Sequence, residues 1–401
     1  MSVTEMRPKT GPVHFTGTRG ELFGLLFRGY LLLLPTLGIY RFWVTTWKRR
    51  YYWQHTVIDG QPLEYTGSAT QLLIGFLIAV AIFLPLYGGF FYLSTQTSDV
   101  VLWGYAVIGV LFWFAQGYAI YRARDFRLSR TLWRGIRFDQ KGSALGYAFR
   151  RFLWSLLVLV TLGLAYPFMA SSLWRYRYRH SFYGDRPFTW TGTWKTIAGP
   201  YYLAWLVVAV LLVVAVMLVP GDLHSGEGVV YPGATALLVL FGVSAGNVLA
   251  WLYFRSREAT RMFSAVRLGE AGLQVKVKLG TLLGQGLLYG LCAGLALIIF
   301  GGFILGFVYA ISGGTGGGAD DLARIARTSV LNVSILLVSY LLLLGALGLF
   351  AELFLGRGFW ATVASGAVVT NPESLHTVRA TAEDPSLAGE GLADALNVGA
   401  Y

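Results

Sequence analysis

Long uncharged runs, rather than short periodic ones, divide this chain. Leu72–Leu93, Val100–Tyr121, Phe152–Trp174, Thr196–Gly221, Val229–Phe254, Leu279–Ala319 and Thr328–Ala351 contain no Asp, Glu, Lys or Arg. Crossing a hydrocarbon core about 30 Å thick takes a helix of about 20 residues, and every one of these runs is long enough. An eighth segment, Leu22–Tyr40, is apolar apart from Arg28. Between the runs the pattern shortens. Residues 52–66 predict two strands around Asp59-Gly60, and residues 179–191 repeat the signal around Gly184-Asp185. Leu132–Phe138 is a further candidate strand, and Val275–Leu279 alternates with period two. Such hairpins are marginal alone, so the expectation is that they pair into a small cytoplasmic sheet.

Composition supports the membrane reading: 55% of the 401 residues are apolar and 13% charged, against about a quarter charged in a soluble domain. The first twenty residues hold Arg7, Lys9 and Arg19 but no apolar stretch, so no cleavable signal peptide is visible. The single cysteine, Cys292, excludes an intrachain disulfide and a cysteine metal cluster. The net charge of +12 sits beside the apolar runs, which points to anionic lipid headgroups and away from nucleic acid.

The placement of Lys and Arg discriminates between topologies. If all eight segments span, the two sides hold 14 and 16 of these residues, which is no bias. If Leu22–Tyr40 and Phe152–Trp174 enter and return on one side, that side holds 28 and the other 2. Both exceptional segments carry a breaker near a Thr-Leu-Gly triplet, Pro35 in one and Pro167 in the other. The favoured arrangement is therefore six spans plus two re-entrant segments, with the basic loops and both termini cytoplasmic. Eight spans with a weak charge rule is the alternative.

A shift of 125 positions aligns Thr36–Gly67 with Thr161–Gly192 without a gap, with nine identities in 32 positions. Among them Arg50 meets Arg175 and His55 meets His180. A second pairing relates Arg122, Arg124 and Asp125 to Arg255, Arg257 and Glu258, and Ala346-Leu347-Gly348 resembles a decayed third triplet. The fold expected is an α-helical polytopic membrane protein built from internal repeats, each a re-entrant segment plus a transmembrane hairpin, with small cytoplasmic β-hairpins. The first repeat is 1–121 (re-entrant 22–44, basic loop 45–69, spans 70–93 and 99–121). The second is 122–254 (re-entrant 152–174, loop 175–195, spans 197–219 and 230–254). A divergent third unit is 255–370 (spans 281–311 and 328–355), and 371–401 is a disordered tail.

The string Phe15-Thr-Gly-Thr, Glu21-Leu-Phe, Thr36-Leu-Gly-Ile-Tyr-Arg-Phe-Trp43, Arg49-Arg-Tyr, Asp59-Gly and Tyr65-Thr-Gly resembles the YjgN-like family. The resemblance is strong over 14–75, clear over 121–195 and weak after about 280. The C-terminal third departs from the family: another Thr-Leu-Gly-Leu-x-x-Pro-Trp and a basic Arg-Tyr stretch are expected there, and Ala346-Leu347-Gly348-Leu349 followed by Glu352 stands instead. The resemblance implies a bacterial inner-membrane protein and supplies no activity.

Candidate chemistry is sparse. Gly242-Val-Ser244-Ala-Gly246 fits a nucleophile elbow in letters, but it lies in an apolar helix without a nearby acid and reads as a packing face. No catalytic residue and no cofactor is expected, so the chain does not read as an enzyme. His55 and His180 are the weak metal candidates, lacking the companions of a site. Arg28, Arg41, Arg49, Arg50, Arg175 and Arg177 are candidates for binding anionic lipid headgroups or an anionic solute. Asn247, Gln285, Asn332 and Glu352 are polar groups expected inside the membrane. Two functions follow: transport or permeation of a small or anionic solute or lipid, or a non-transporting scaffold binding anionic lipid or a protein partner through its basic face. A continuous polar cavity favours the first, and a plugged apolar interior the second. Homo-oligomerisation is open.

Overall fold

The computed structural model describes residues 10–95, 99–226, 229–311 and 330–381. The chain begins with strand β1 (Thr10–Phe15) and helix α1 (Arg19–Leu33). Three hairpins follow, each between an entering and a leaving helix. α2 (Arg41–Gln54) enters β2 (Thr56–Ile58) and β3 (Gln61–Tyr65), which α3 (Ala69–Ser94) leaves. α4 (Asp99–Ser129) enters β4 (Thr131–Trp133) and β5 (Ile136–Gln140), left by α5 (Ala144–Val160). α6 (Tyr166–Arg179) enters β6 (Ser181–Tyr183) and β7 (Arg186–Trp190), left by α7 (Lys195–Leu218). A separate ribbon, β8 (Leu223–Gly226) and β9 (Val229–Pro232), links α7 to α8 (Ala234–Phe263). α8 enters the fourth hairpin, β10 (Val266–Leu268) and β11 (Ala271–Val275), which α9 (Leu279–Ile311) leaves. α10 (Val330–Phe350) runs through a π-helical turn, Ala351–Gly356, into α11 (Arg357–Ser365) and the last strand, β12 (Ala367–Thr370).

All four hairpins follow one plan of three residues, a two-residue turn and five residues. Asp59 and Gly60 are both left-handed, with φ of 49° and 76°, as are Arg134 and Gly135 with 52° and 73°. This is the two-residue turn whose twist matches paired strands. At the other two turns only the leading glycine, Gly184 or Gly269, is left-handed.

The hairpins do not form a small sheet. They close into one ten-stranded antiparallel barrel, in the order β1-β12-β11-β10-β7-β6-β5-β4-β3-β2. The fifth hairpin is assembled from the two ends of the chain: β12 pairs with β1, Val368 opposite Pro12, as Val57 stands opposite Pro62 within the first hairpin. Five backbone bonds repeat at the joints, from Thr16, Thr66, Lys141, Thr191 and Lys276 to the carbonyls of His55, Arg130, His180, Ala265 and Gly366, all 2.8–3.0 Å. Closure removes every sheet edge, so strands too short to stand alone are each paired on both sides.

This corrects the expected fold. The repeating unit is helix, strand, turn, strand, helix, used four times and completed by the pair β12-β1 from the two ends of the chain, not a re-entrant segment plus membrane hairpin with separate cytoplasmic β-hairpins. Residues 52–54, read as strand, finish α2. Leu132–Phe138, read as one strand, is a hairpin, and the strand ending at Val275 stops before Lys276. At residues 36–38 and 161–163 the chain is not an extended membrane loop but a tight turn between helices. Leu37 and Gly38 have φ of 49° and 83°, Leu162 and Gly163 of 48° and 96°. The carbonyls of Leu33 and Val158 accept from Gly38 and Gly163 at 2.8 and 2.7 Å, a glycine-ended helix stop in both copies. The 125-residue repeat is thus real in backbone detail: α2, β2 and β3 recur as α6, β6 and β7 at that shift.

The bore of the barrel is an apolar core. Trp133, Tyr183, Leu268 and Ala271 are buried there, with Ile58, Leu63, Ile136, Phe138, Phe188 and Val369 packed around them. Leu375 and Val378, from the segment expected to be disordered, complete the same cluster. A 3₁₀ turn at Pro372–Thr377 carries them in, and Arg379 exchanges backbone and side-chain hydrogen bonds with Asp185 at 3.1 Å each. The remainder of that tail, and the glycine-rich run at 313–318, lie outside the described residues.

The chain divides into two compact units. The first, 1–16, 39–277 and 363–401, holds the barrel and α2 to α8; the second, 17–38 and 278–362, holds α1, α9, α10 and most of α11. Among the described residues five helices are long and apolar enough to cross a membrane: Trp103–Ser129, Lys195–Asp222, Ala234–Phe263, Leu279–Ile311 and Val330–Ser365, with a shorter apolar helix at Ala69–Ala81. Their side chains are largely exposed, Phe241 and Met217 at 75% for example. Such surface is stable only in lipid.

A basic neck at the helix-bearing end of the barrel

Every strand of the barrel meets its helix at the same end, so the last turns of the entering helices and the last residues of the leaving strands form a neck. Seven positions before the first strand residue stand Arg49 (before Thr56) and Arg124 (before Thr131). Each reaches the final residue of its own hairpin. Arg49 Nη1 donates to the Tyr65 hydroxyl at 3.0 Å, and Arg124 Nε donates to Gln140 Oε1 at 2.8 Å. In the third hairpin the same places hold Trp174 and Trp190, with ring centroids 6.4 Å apart. Trp190 is buried and donates Nε1–H to the Met262 carbonyl at 3.0 Å, so these two tryptophans belong to the neck's packing.

The repeat-related arginines do the same work twice. Arg50 and Arg175 donate to the carbonyls of Gly67 and Gly192, both at 3.3 Å. Those glycines are required by contact, because a Cβ on either would collide with the terminal aromatic ring of its own hairpin, Tyr65 or Trp190. His55 and His180 are also equivalent: each caps its helix and has Nδ1 2.8 Å from the carbonyl four residues back. Neither lies in a group of three or more metal-ligating side chains among the described residues.

Carboxylates meet part of the neck's positive charge, and Asp139 lies 4.0 Å from Lys141. Asp125 accepts from Arg122 at 2.8 Å, and Glu258 from Arg255 at 2.7 Å, each three residues apart on one helix. Glu258 also takes the Tyr166 hydroxyl at 3.0 Å. Arg124, which sequence reasoning did not single out as a site, is enclosed around its charged end, though the residue keeps some exposed surface. Its remaining contacts are the Ser181 hydroxyl at 3.0 Å and the Tyr178 ring at 5.0 Å. Burial weighs most on its charge, followed by the favourable Tyr178 and then by two more cations, Arg177 and Arg127. Arg177 lies over Trp174 at 5.2 Å, and its buried Nε has no hydrogen-bond partner among the described residues. A signal for Arg124 existed in the sequence: it stands where Arg49 stands, once the hairpins are aligned.

The other candidates scatter. Arg41 is exposed, over the rings of Phe42 and Phe76 at 5.0 and 5.1 Å. Asn247 is half-buried in α8, its Oδ1 without a partner among the described residues. In the second unit Arg28 is exposed, Gln285 accepts from Arg19 at 2.8 Å, and Asn332 and Glu352 are half-buried. Two open grooves are each lined by a single helix, one by α5 from Gly146 to Leu157 and one by α9 from Thr281 to Leu291.

Apolar helices of membrane-crossing length define a multi-pass membrane protein, and its first unit also contains a closed, filled barrel. Residues 10–395 match the family described as bacterial protein of unknown function (DUF898), and the chain belongs to that YjgN-like family. It is 33% identical over 70 residues to the inner membrane protein YjgN of Salmonella typhimurium (strain LT2), a match covering 18% of each chain. No solved structure matches.

Proposed function

We propose that this protein is a non-transporting membrane scaffold whose basic neck lies in the cytoplasmic headgroup layer and holds anionic phospholipid. The observation that carries the reading is the pairing of a barrel bore filled by Trp133, Tyr183, Leu268, Leu375 and Val378 with a neck of arginines. A bore packed with apolar side chains offers no hydrated path, and arginine forks suit phosphate oxygens. Placing the neck and barrel on the cytoplasmic side follows from the charge rule, since Lys and Arg near helix ends are retained there. The planar guanidinium at the ends of apolar helices also gains from the negative surface potential of that leaflet, by about 1 kcal/mol per residue.

The test compares the lipid carried by the protein in polymer-bounded native discs with that of the bulk membrane. Enrichment of phosphatidylglycerol and cardiolipin is expected. Proteoliposomes loaded with small anionic and neutral solutes should leak no faster than protein-free vesicles. Saturable solute efflux would overturn the scaffold reading in favour of permeation.

A further inference from the structure

We infer that the neck contains one built phosphate-binding pocket, formed by Arg124 and Arg177 between the second and third hairpins. The inference rests on reading the neck as a headgroup-facing surface and narrows it to a particular site. Arg124 brings two hydrogen bonds to neutral partners, Gln140 Oε1 and Ser181 Oγ, and these use Nε and Nη2. They leave Nη1 without a hydrogen bond among the described residues. Arg177 makes no side-chain hydrogen bond among them at all, and its Nε is buried. Both Arg177 and Arg127 lie close enough to act on Arg124.

An enclosed cation of this kind is expensive unless an opposite charge or a full set of acceptors joins it. Elsewhere in the neck the chain supplies the opposite charge itself, through Asp125 and Glu258. At Arg124 it supplies rigid neutral supports instead. Gln140 is fixed from behind, its Nε2 donating to the Tyr121 carbonyl at 3.2 Å, so its Oε1 faces Arg124. Ser181 is fully buried and itself donates to the Arg177 carbonyl at 2.8 Å, tying the two arginines to one frame. The aromatic faces of Tyr178 and Trp174 hold the guanidinium planes from the other side. Arg124 Nη1 and the Arg177 guanidinium, unbonded among the described residues, are the N–H donors that would take a tetrahedral oxyanion. The ligand class is a phosphate or phosphate monoester or diester, either free or as the headgroup of a lipid.

Native mass spectrometry of the detergent-purified wild type, with Arg124→Gln, Arg177→Gln and the far-end control Arg186→Gln, reads the pocket directly. Retention of an anionic phospholipid should fall about tenfold in Arg124→Gln and Arg177→Gln and stay unchanged in Arg186→Gln. Arg177→Gln removes no side-chain hydrogen bond among the described residues, so it keeps the test open if Arg124→Gln fails to fold. In parallel, the wild-type melting temperature is measured in sodium phosphate and in sodium chloride at equal ionic strength. A rise in phosphate that Arg177→Gln abolishes assigns the pocket to free phosphate; loss of lipid without such a rise assigns it to a headgroup. Equal lipid retention in all variants, with no phosphate effect, overturns the pocket. If the native discs are still enriched in anionic lipid, that outcome leaves the diffuse scaffold reading standing. Phosphate stabilisation without lipid enrichment would keep the pocket and remove the scaffold reading.

Discussion

The two ends of the barrel differ in how two of their arginines are supported. At the turn end the guanidinium groups of Arg134 and Arg186 find partners within the chain. Arg134 pairs with Asp59 at 2.7 Å, Arg186 donates to Thr377 at 3.1 Å, and the Arg379 backbone pairs with Asp185. The end is sealed by a turn of the chain's own tail. At the helix end Asp125, Glu258 and Asp139 each pair with a cation two or three residues away, and Arg124 and Arg177 are left on neutral supports among the described residues. The difference teaches where the partner is to be sought. A surface that satisfies its own charges is structural, whereas the pair fixed at Arg124 and Arg177 without a counter-charge among the described residues is where the proposed anion would sit.

The comparison breaks most easily at the turn end. Truncation after Asn371 removes Leu375 and Val378, each worth about 1.5–3 kcal/mol of burial, and should produce the largest fall in melting temperature. Tyr183 reports it independently. Burial pushes its phenol from 10.0 up to about 12, against a smaller lowering by Arg134. Because the folded value is raised, Tyr183 stabilises the fold fully below pH 10, and that share is lost as the pH rises through 12. Ultraviolet titration should show its ionisation moving down towards 10 in the truncated protein. An unchanged titration would mean that the tail does not seal the bore.

Smaller effects test the neck's joints. Gly67→Ala or Gly192→Ala forces Tyr65 or Trp190 off its glycine and should cost about 1–3 kcal/mol. Gly280→Ala meets nothing within 4 Å and should be neutral or stabilising, by up to about 1 kcal/mol of helix propensity. Chemical denaturation of the three variants side by side decides it. The smallest effect is at the turn end: a double-mutant cycle on Arg134 and Asp59, whose side chains are 20% and 30% exposed, should yield a coupling of about 0.2–1 kcal/mol. A coupling near zero would remove the ion pair from the turn end's self-sufficiency.

Membrane helices and hairpins were legible because their signals are local. Uncharged runs of membrane length and Asp59-Gly60 each speak within a few residues. The barrel was not legible because its closure is not local: the fifth hairpin joins Thr10–Phe15 to Ala367–Thr370, and no pattern within either segment announces the other. One cue was available. Phe15-Thr-Gly-Thr, Tyr65-Thr-Gly-Ser, Gln140-Lys-Gly-Ser and Trp190-Thr-Gly-Thr mark the same strand-to-helix joint four times, and Thr18, Ser68 and Ser143 cap the helices that follow. Read as joints, these count hairpins and not membrane repeats. In the neck, Arg49, Arg50, Arg175 and Arg177 stood out through charge and repeat alignment. Arg124 stayed hidden because its partners, Gln140 and Ser181, are 16 and 57 positions away.

The contrast between the two ends can be measured in one experiment, with the protein in nanodiscs of neutral lipid alone or of neutral lipid mixed with phosphatidylglycerol. The melting temperature of the wild type should rise when the anionic lipid is present. The double variant Arg124→Gln/Arg177→Gln should lose that increment. The double variant Arg134→Gln/Arg186→Gln should melt lower in both lipids and keep the increment in full. Equal increments in the two double variants, or loss of the increment only from the turn-end pair, would contradict the assignment of the helix-bearing end as the anion-binding surface.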